Sequence, residues 1–126
     1  MKLSELLNLT DEQKYEGVWF SGIEGEGEYK ELYENGNLYK HSNWKEWTLH
    51  GEYKSWYNNE NLLEHSFWKD GELHGEFKRW WSDGVLHVHS NWKNDKKHGE
   101  FKRWYENGDL YKHFIWENGK LIERII

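Results

Sequence analysis

The sequence predicts a mainly β fold, namely a single elongated, twisted antiparallel β-meander of two-stranded repeats with a short N-terminal helical segment. Three observations predict it. The chain repeats itself every 24 residues, turn-forming dipeptides recur inside the repeats, and the runs between those dipeptides are rich in aromatic residues. A chain of 126 residues has the length of one ordinary domain, so all repeats are expected to belong to one sheet.

Four full repeats align without a gap and cover residues 27–50, 51–74, 75–98 and 99–122. Each opens with glycine, glutamate, an aromatic residue and lysine, and each carries leucine at position 12 of the repeat. The tryptophans at position 18 are Trp44, Trp68, Trp92 and Trp116. Phe20 stands one period before Trp44, so residues 17–26 are predicted to be a partial repeat. The predicted repeat domain spans residues 17–126 and ends with a terminal strand at 123–126.

Residues 1–16 are predicted to form a helical cap. The apolar residues at helical spacing are Leu3, Leu6 and Leu7. Thr10 followed by Gln13 fits a capping box at the start of a second short helical turn. A bare aromatic sheet face would expose more apolar surface than soluble monomers tolerate, so this cap is expected to cover one end of that face.

Two turn signals divide each repeat into strands. Asn-Gly and Asp-Gly dipeptides tolerate the positive φ that tight two-residue turns require, so the chain is predicted to form about nine antiparallel strands. These dipeptides are Asn35-Gly36, Asp70-Gly71, Asp83-Gly84, Asn107-Gly108 and Asn118-Gly119. The equivalent positions without glycine are expected to form looser loops, and they are Glu46-Trp47, Asn59-Glu60 and Asn94-Asp95.

Two-residue turns would also determine which side chains share a face, because side chains alternate along a strand and pairing sets the register. In the last repeat Tyr105 would lie opposite Leu110, and Trp116 would cover Gly99. This face, which also carries Phe101, is predicted to be the core face. The aromatic residues at position 6 would lie on the opposite, wetted face with the recurring glutamates, lysines and histidines.

Composition excludes several classes of function. The chain has 23 acidic and 17 basic residues, a net charge of −6, whereas a duplex-binding protein needs a cationic footprint. No apolar run is long enough for a membrane helix, and residues 1–17 lack the apolar region of a secretory signal. The absence of cysteine removes disulfides and thiolate chemistry. We therefore expect a cytoplasmic protein with neither duplex nucleic acid nor a membrane as partner.

The histidines are concentrated at two positions of the repeat, 15 and 24. In the register of the second turn, His41 would face Glu52, and His50 would lie beside Glu52 on the same strand. Two imidazoles and a carboxylate at that spacing would form either a metal site or a cross-strand hydrogen-bond ladder. The ladder is the preferred interpretation, and no metal or other cofactor is predicted.

Large aromatic and cationic residues mark the predicted binding surface. Tryptophan and arginine dominate protein-binding hot spots, so these residue types on a face not needed for the core favour a protein partner. The candidate partner-binding residues are Trp56, Trp80, Trp104, Arg79, Arg103, Lys54, Lys78 and Lys102. The same tryptophans and lysines could instead stack a nucleotide or another small ligand, and this alternative stays open. The sequence contains no catalytic motif, so no enzyme is predicted.

The segment from Trp104 to Leu110 (WYENGDL), followed by Trp116, Gly119 and Leu121, resembles the MORN-repeat-variant family, which includes YwqK-like antitoxins of bacteria. The resemblance implies a β-repeat fold and a role as an interaction module or partner neutraliser without a shared set of catalytic residues. The resulting hypothesis is a non-enzymatic protein that binds and inhibits an unidentified toxin, defence protein or host protein. The sequence leaves the oligomeric state open.

Overall fold

The computed structural model describes residues 18–23 and 25–126, which form one open antiparallel sheet. Except at one two-residue strand, each strand pairs with its neighbours in the chain, so the sheet is a meander, as predicted. The strands are β1 Val18–Ile23, β2 Glu26–Leu32, β3 Leu38–Lys45, β4 Thr48–Leu49, β5 Gly51–Trp56, β6 Leu62–Lys69, β7 Glu72–Trp80, β8 Leu86–Lys93, β9 Lys96–Trp104, β10 Leu110–Glu117 and β11 Lys120–Arg124. The predicted helical cap at 1–16 lies outside the described residues. Within the described part, no helix is long and apolar enough to cross a membrane.

The first turn of each repeat is a five-residue connection and not the predicted two-residue hairpin. In the first repeat, Tyr33 N donates to Asn37 O over 2.8 Å, and Gly36 N donates to Tyr33 O over 2.9 Å. Gly36 has a φ of 88°, in the left-handed region that favours glycine. Three residues therefore lie inside the last backbone pair, as in hairpins that combine a turn with a glycine bulge. The equivalent connections are residues 57–61, 81–85 and 105–109.

The second turn of each repeat is a tight two-residue hairpin, even where glycine is missing. Glu46 and Trp47 have φ values of 51° and 65°, and Asn94 and Asp95 have φ values of 50° and 65°. Two successive positive φ values match the turn type that follows the twist of paired strands. The expectation of looser loops at these two positions is therefore wrong, because Asn94 and Asp95 tolerate positive φ, and strand pairing imposes it on Glu46 and Trp47.

A one-residue bulge beside each first turn moves the leucine row to the other face of the sheet. Leu110 pairs with Trp104, and Tyr111 after it has no paired residue on β9. Because directly paired residues lie on one face, Leu110 shares the face of Trp104. The prediction that Leu110 lies opposite Tyr105 on the core face is wrong, since an inserted residue reverses the alternation that the sequence pattern indicates.

The predicted pairing of the opening glycines with tryptophan is confirmed. Gly99 pairs with Trp116, and the equivalent pair occurs in each of the other three repeats. Gly99 has a φ of 104°, so a side chain at this position would strain the backbone. The glycine is therefore needed for its backbone conformation, and an added Cβ would meet Asn91 at 3.5 Å and not the indole.

A second irregularity shifts the register where one repeat joins the next. Trp44 pairs with Leu49 on β4, but His41 pairs with Lys54 on β5. The prediction that His41 faces Glu52 is wrong for this reason. The same irregularity separates β4 from β5, and the described sheet has eleven strands where about nine were predicted.

The sheet is a single layer with little buried apolar surface. Among residues 25–126 the buried apolar side chains are Val88 and Phe101, which are 6% and 7% exposed. Trp92 and Trp116, predicted to lie in the core, are half-buried. All described strands belong to this one sheet, so no second layer of described residues covers either face.

Candidate functional site

The sheet presents two faces of different composition, because side chains alternate along each strand and pair across strands. The serine–tryptophan face carries the rows of equivalent residues that begin with Tyr29 and Ser42, which pair directly. The histidine–glutamate face carries the rows that begin with Glu28, Lys30 and His41. These two faces hold the candidate binding surfaces.

On the serine–tryptophan face, each serine accepts a hydrogen bond from the tryptophan two residues later. The indole Nε1 of Trp44 donates to the Oγ of Ser42 over 2.8 Å. The equivalent bonds, Trp68 to Ser66 and Trp92 to Ser90, measure 2.9 Å each. These serines are at most 2% exposed, so the bond satisfies a hydroxyl that would be costly to bury alone. In the last repeat Phe114 replaces the serine, and Nε1 of Trp116 has no hydrogen-bond partner among the described residues.

A groove of about 460 Å³ lies on this face over the first two full repeats. Its lining residues are Tyr29, Lys40, Ser42, Trp44, Leu49, Tyr53, Glu64 and Trp68. Burial raises the pKa of Glu64 although Arg79 lies 3.7 Å away and opposes the shift. Burial is also the main cause that raises the pKa of Tyr53 to about 12. This first groove contains one lysine and one carboxylate, so its charges are balanced.

A second groove of about 360 Å³ lies over the last two full repeats. Its lining residues are Phe77, Arg79, His87, Val88, Ser90, Trp92, Lys97, Phe101 and Arg103. Ser90 and Trp92 occupy the repeat positions of the serine and tryptophan in the first groove. Lys97 stands where the first groove has Leu49. No carboxylate belongs to this lining, so the second groove is cationic.

The cations of the second groove crowd one another. Burial lowers the pKa of Lys97, and the positive charges of Arg103 and Lys112 lower it further. Burial also lowers the pKa of His87, with additional contributions from Arg103 and Arg79. Both shifts disfavour the charged form, as expected for bases that share a partly buried site without an acidic neighbour.

Aromatic rings lie against these cations. The Nζ of Lys97 is 4.8 Å from the ring centre of Phe101 and 4.6 Å from that of Trp116. The guanidinium carbon of Arg103 is 5.4 Å from the same Phe101 ring. Similar contacts join Lys112 and Arg124 to the ring of Phe114, at 5.2 and 5.0 Å. The rings attract the cations electrostatically while leaving their positive charge without a counter-ion.

On the histidine–glutamate face, carboxylates neutralise the cations. Glu52 lies 3.5 Å from the Nζ of Lys54 and 3.0 Å from the Nε2 of His65. The hydrogen bond with His65 is the main cause that lowers the pKa of Glu52. The next repeats contain the same contacts, with Glu76 3.3 Å from both Lys78 and His89, and Glu100 3.4 Å from Lys102 and 3.7 Å from His113. This face therefore has local charge balance.

The predicted trio of His41, Glu52 and His50 does not form. Glu52 contacts His65 of its own repeat, and the Nδ1 of His50 lies 3.6 Å from an oxygen of Asp70. Within the part of the chain that the structure describes, no three metal-binding side chains come together. Histidine–glutamate contacts do recur across strands, but each joins residues of one repeat and not of two successive repeats.

The predicted binding residues divide between the two faces. Lys54, Lys78 and Lys102 lie on the histidine–glutamate face with a tryptophan row whose pairs are Trp56 with Leu62, Trp80 with Leu86, and Trp104 with Leu110. Arg79 and Arg103 precede two of these tryptophans and therefore lie on the serine–tryptophan face. The structure thus does not bring all eight predicted residues into one surface.

Sequence reasoning missed four basic residues in or beside the second groove, namely His87, Lys97, Lys112 and Arg124. Lys97 departs from a row that is otherwise leucine, and His87 is the one histidine outside the two histidine-rich positions. Such departures from the repeat were the available signal. A repeated residue is expected to serve the shared structure, whereas a departure is free to serve a local function.

The fold and its surfaces define a repeat protein built as a single-layer β-meander. The profile of the MORN repeat variant family matches residues 25–46, 49–70, 73–94 and 97–115. The chain therefore belongs to the MORN repeat variant family, as the motif around Trp104 to Leu110 indicates. A comparison with curated proteins finds no match.

Proposed function

We propose that the protein is a non-enzymatic, cytoplasmic repeat protein that binds a protein partner and inhibits it. The observation that carries this proposal is the aromatic character of both open faces. Half-buried tryptophans, including Trp80 and Trp92, lie on a sheet that no second described layer covers. Large apolar surfaces of this kind are typical of interaction sites, and tryptophan and arginine are the usual anchors of protein interfaces.

The absence of enzymatic activity is supported by the chemistry of the grooves. The buried hydroxyls of Ser42, Ser66 and Ser90 already accept hydrogen bonds from indoles. The recurring histidines that begin with His41 lie on the opposite face, so they cannot act as general bases toward these serines. His87 lines the second groove with Ser90, but the hydrogen bond to the Ser90 hydroxyl comes from Trp92 and not from His87. The resemblance to YwqK-like antitoxins supports neutralisation of a bacterial toxin as one form of the inhibitory role.

The test is affinity capture with the tagged protein in cells of its native host, followed by mass spectrometry and an activity assay of the captured protein. We expect one stoichiometric protein partner whose activity falls on binding. Trp80→Ala, Trp104→Ala and the double change Arg79→Ala with Arg103→Ala should report which face the partner contacts. A lost anchor should weaken binding by about 2 kcal/mol or more, roughly 30-fold.

Ser82→Ala is the control for this experiment, because Ser82 lies exposed in a turn. The Ser82→Ala variant should bind the partner with the same affinity as the unchanged protein. If no protein is enriched above the level of an untagged control, the proposed function is wrong.

A second candidate function is the binding of a nucleotide or another small anionic ligand. The cationic groove over the last two repeats favours it, since its volume of about 360 Å³ lies within the range of small-molecule sites. Tryptophan fluorescence with a panel of nucleotides separates the two functions. Saturable quenching without any captured protein would replace the protein-binding proposal by this one.

A further inference from the structure

We propose that the second groove, with its cations Arg79, Lys97 and Arg103 and the adjacent Lys112 and Arg124, binds an acidic segment of the protein partner through the segment's Asp and Glu side chains. This inference rests on the proposed function and adds the chemistry of the partner. The second groove together with these five cations is called the cationic groove below.

The first argument is that four of these five cations form no ion pair within the described chain. Among residues 25–126, no carboxylate forms an ion pair with Lys97, Arg103, Lys112 or Arg124. Arg79 has one long contact, 3.7 Å from its Nε to Glu64. On the opposite face, Lys54, Lys78 and Lys102 each have a glutamate within 3.5 Å. Charge complementarity therefore selects the cationic groove, and not the histidine–glutamate face, as the docking site of an acidic partner.

The second argument concerns Arg103. Its Nε is buried, and within the described chain it has no hydrogen-bond partner. A buried donor without an acceptor costs free energy, and a guanidinium matches a carboxylate with two parallel hydrogen bonds. A carboxylate entering the groove would satisfy this donor, so Arg103 is expected to be the central anchor.

The third argument separates an acidic peptide from a nucleic acid. Base stacking requires a free aromatic ring face. The ring of Phe101 is already approached by Lys97 at 4.8 Å and by Arg103 at 5.4 Å, and the ring of Trp116 by Lys97 at 4.6 Å. These rings hold cations instead of offering a stacking platform, which favours carboxylates over bases.

The fourth argument is the extent of the positive charge. Arg79 lies on β7, Lys97 and Arg103 lie on β9, Lys112 lies on β10, and Arg124 lies on β11. Four strand spacings separate β7 from β11, which corresponds to roughly 19 Å across the sheet. An extended segment of about six residues covers this distance, whereas a single small anion does not. The arrangement therefore fits a run of acidic side chains.

The experiment measures fluorescence anisotropy of a fluorescein-labelled oligo-glutamate peptide with the full chain at low salt, beside an oligo-glutamine peptide of equal length. We expect saturable binding of the oligo-glutamate peptide and no binding of the oligo-glutamine peptide. Added salt should weaken the binding of the oligo-glutamate peptide. Arg79→Gln with Arg103→Gln should lower the affinity by about tenfold or more. Lys93→Gln with Lys120→Gln is the matched control, because it removes the same charge from exposed positions of the same half and should change affinity by less than about twofold.

Thermal melts establish that each variant is folded, and Arg79→Gln with Lys112→Gln replaces the first variant if Arg103→Gln unfolds the chain. Equal binding of both peptides, or equal losses in the test and control variants, overturns the inference. Tighter binding of an oligo-thymidine than of the glutamate peptide overturns it in favour of single-stranded nucleic acid.

Partner capture distinguishes this inference from the proposed function. If the Arg79→Gln and Arg103→Gln variant captures the partner as well as the unchanged protein does, protein binding stands and the cationic groove is not its site. If the peptide binds as expected but no partner is captured, the groove chemistry stands and the proposed function is wrong.

Discussion

The two grooves of the serine–tryptophan face have the same construction, but the first is charge-balanced and the second is cationic. Two periods, or 48 residues, separate Ser42 from Ser90, and each serine holds the tryptophan two residues later. At the same spacing, Leu49 of the first groove corresponds to Lys97 of the second. The first groove balances a lysine with a glutamate, whereas the second carries cations without a carboxylate.

This difference shows how a repeat sheet separates structure from function. A strand of the meander contacts its neighbours and little else, so a substitution affects one repeat and leaves the others intact. The serines and tryptophans recur because they maintain the sheet. Residues such as Lys97 and Arg79 vary along their rows, and they give each groove its own ligand chemistry.

The largest expected effect is a loss of stability that differs between two phenylalanines of the second groove. Phe101 is 7% exposed, so Phe101→Ala should lower the free energy of unfolding by about 3 to 5 kcal/mol, the range for a buried aromatic residue. Phe77→Ala, in the same row but half-buried, should cost less. Urea denaturation of both variants checks this. Equal losses would contradict the conclusion that burial is concentrated around Phe101.

The next effect tests whether the two grooves share their construction. Ser90→Ala leaves the indole of Trp92 without its acceptor and should cost about 1 to 3 kcal/mol of stability. Ser42→Ala in the first groove should cost a similar amount, because the bond to Trp44 has nearly the same length. The exposed Ser82→Ala should stay within about 0.5 kcal/mol. If denaturant melts show that Ser42→Ala and Ser90→Ala lose unequal amounts of stability, the conclusion that the two grooves share their construction is contradicted.

A transfer of charge tests whether position alone determines the ligand chemistry. Leu49 lines the first groove and Glu31 lies beside its Lys40, and these two positions correspond to Lys97 and Arg79. Glu31→Arg with Leu49→Lys therefore places the two cations of the second groove in and beside the first. The variant should gain about tenfold in affinity for the oligo-glutamate peptide, which corresponds to about 1.4 kcal/mol.

The control for the charge transfer is Glu34→Arg with Glu60→Gln, which adds the same positive charge at exposed loop positions. Anisotropy titrations compare the two variants. An equal gain in the control would mean that net charge, and not the groove, attracts the peptide.

The smallest effect is a change in the pKa of one histidine. Burial, Arg103 and Arg79 lower the pKa of His87, so Arg103→Gln should raise this pKa toward its usual value of about 6.5. A lowered pKa means that the folded state binds the proton less readily than the unfolded chain. The stability that His87 contributes is therefore present above about pH 6.5 and is lost as the pH falls through the lowered pKa.

An NMR titration of the imidazole carbons checks the expectation for His87, with Lys93→Gln as the control. An unchanged titration curve in the Arg103→Gln variant would show that the arginine does not act on His87. The crowding of cations in the second groove would then be smaller than the geometry indicates.

Sequence reasoning predicted the fold better than the site. The 24-residue period and the turn dipeptides predicted an antiparallel meander and the pairing of Gly99 with Trp116, and both are confirmed. The face of Leu110 was predicted wrongly, because the bulge at Tyr111 leaves no mark in a hydrophobic pattern. The residues Arg79 and Arg103 were predicted to bind, but their neighbour Lys97 was missed.

The sequence by itself determined the strands, the order of the repeats and the placement of the serines and tryptophans, because these follow from local periodicity and from the φ preferences of turn residues. Only the tertiary structure decided that Glu52 contacts His65, and that Lys97 and Arg103 line one groove without a carboxylate and within the electrostatic reach of Lys112. Neighbours across strands depend on register. The backbone hydrogen bonds of the turns and the bulges beside them set that register, and one inserted residue reverses which side chains meet.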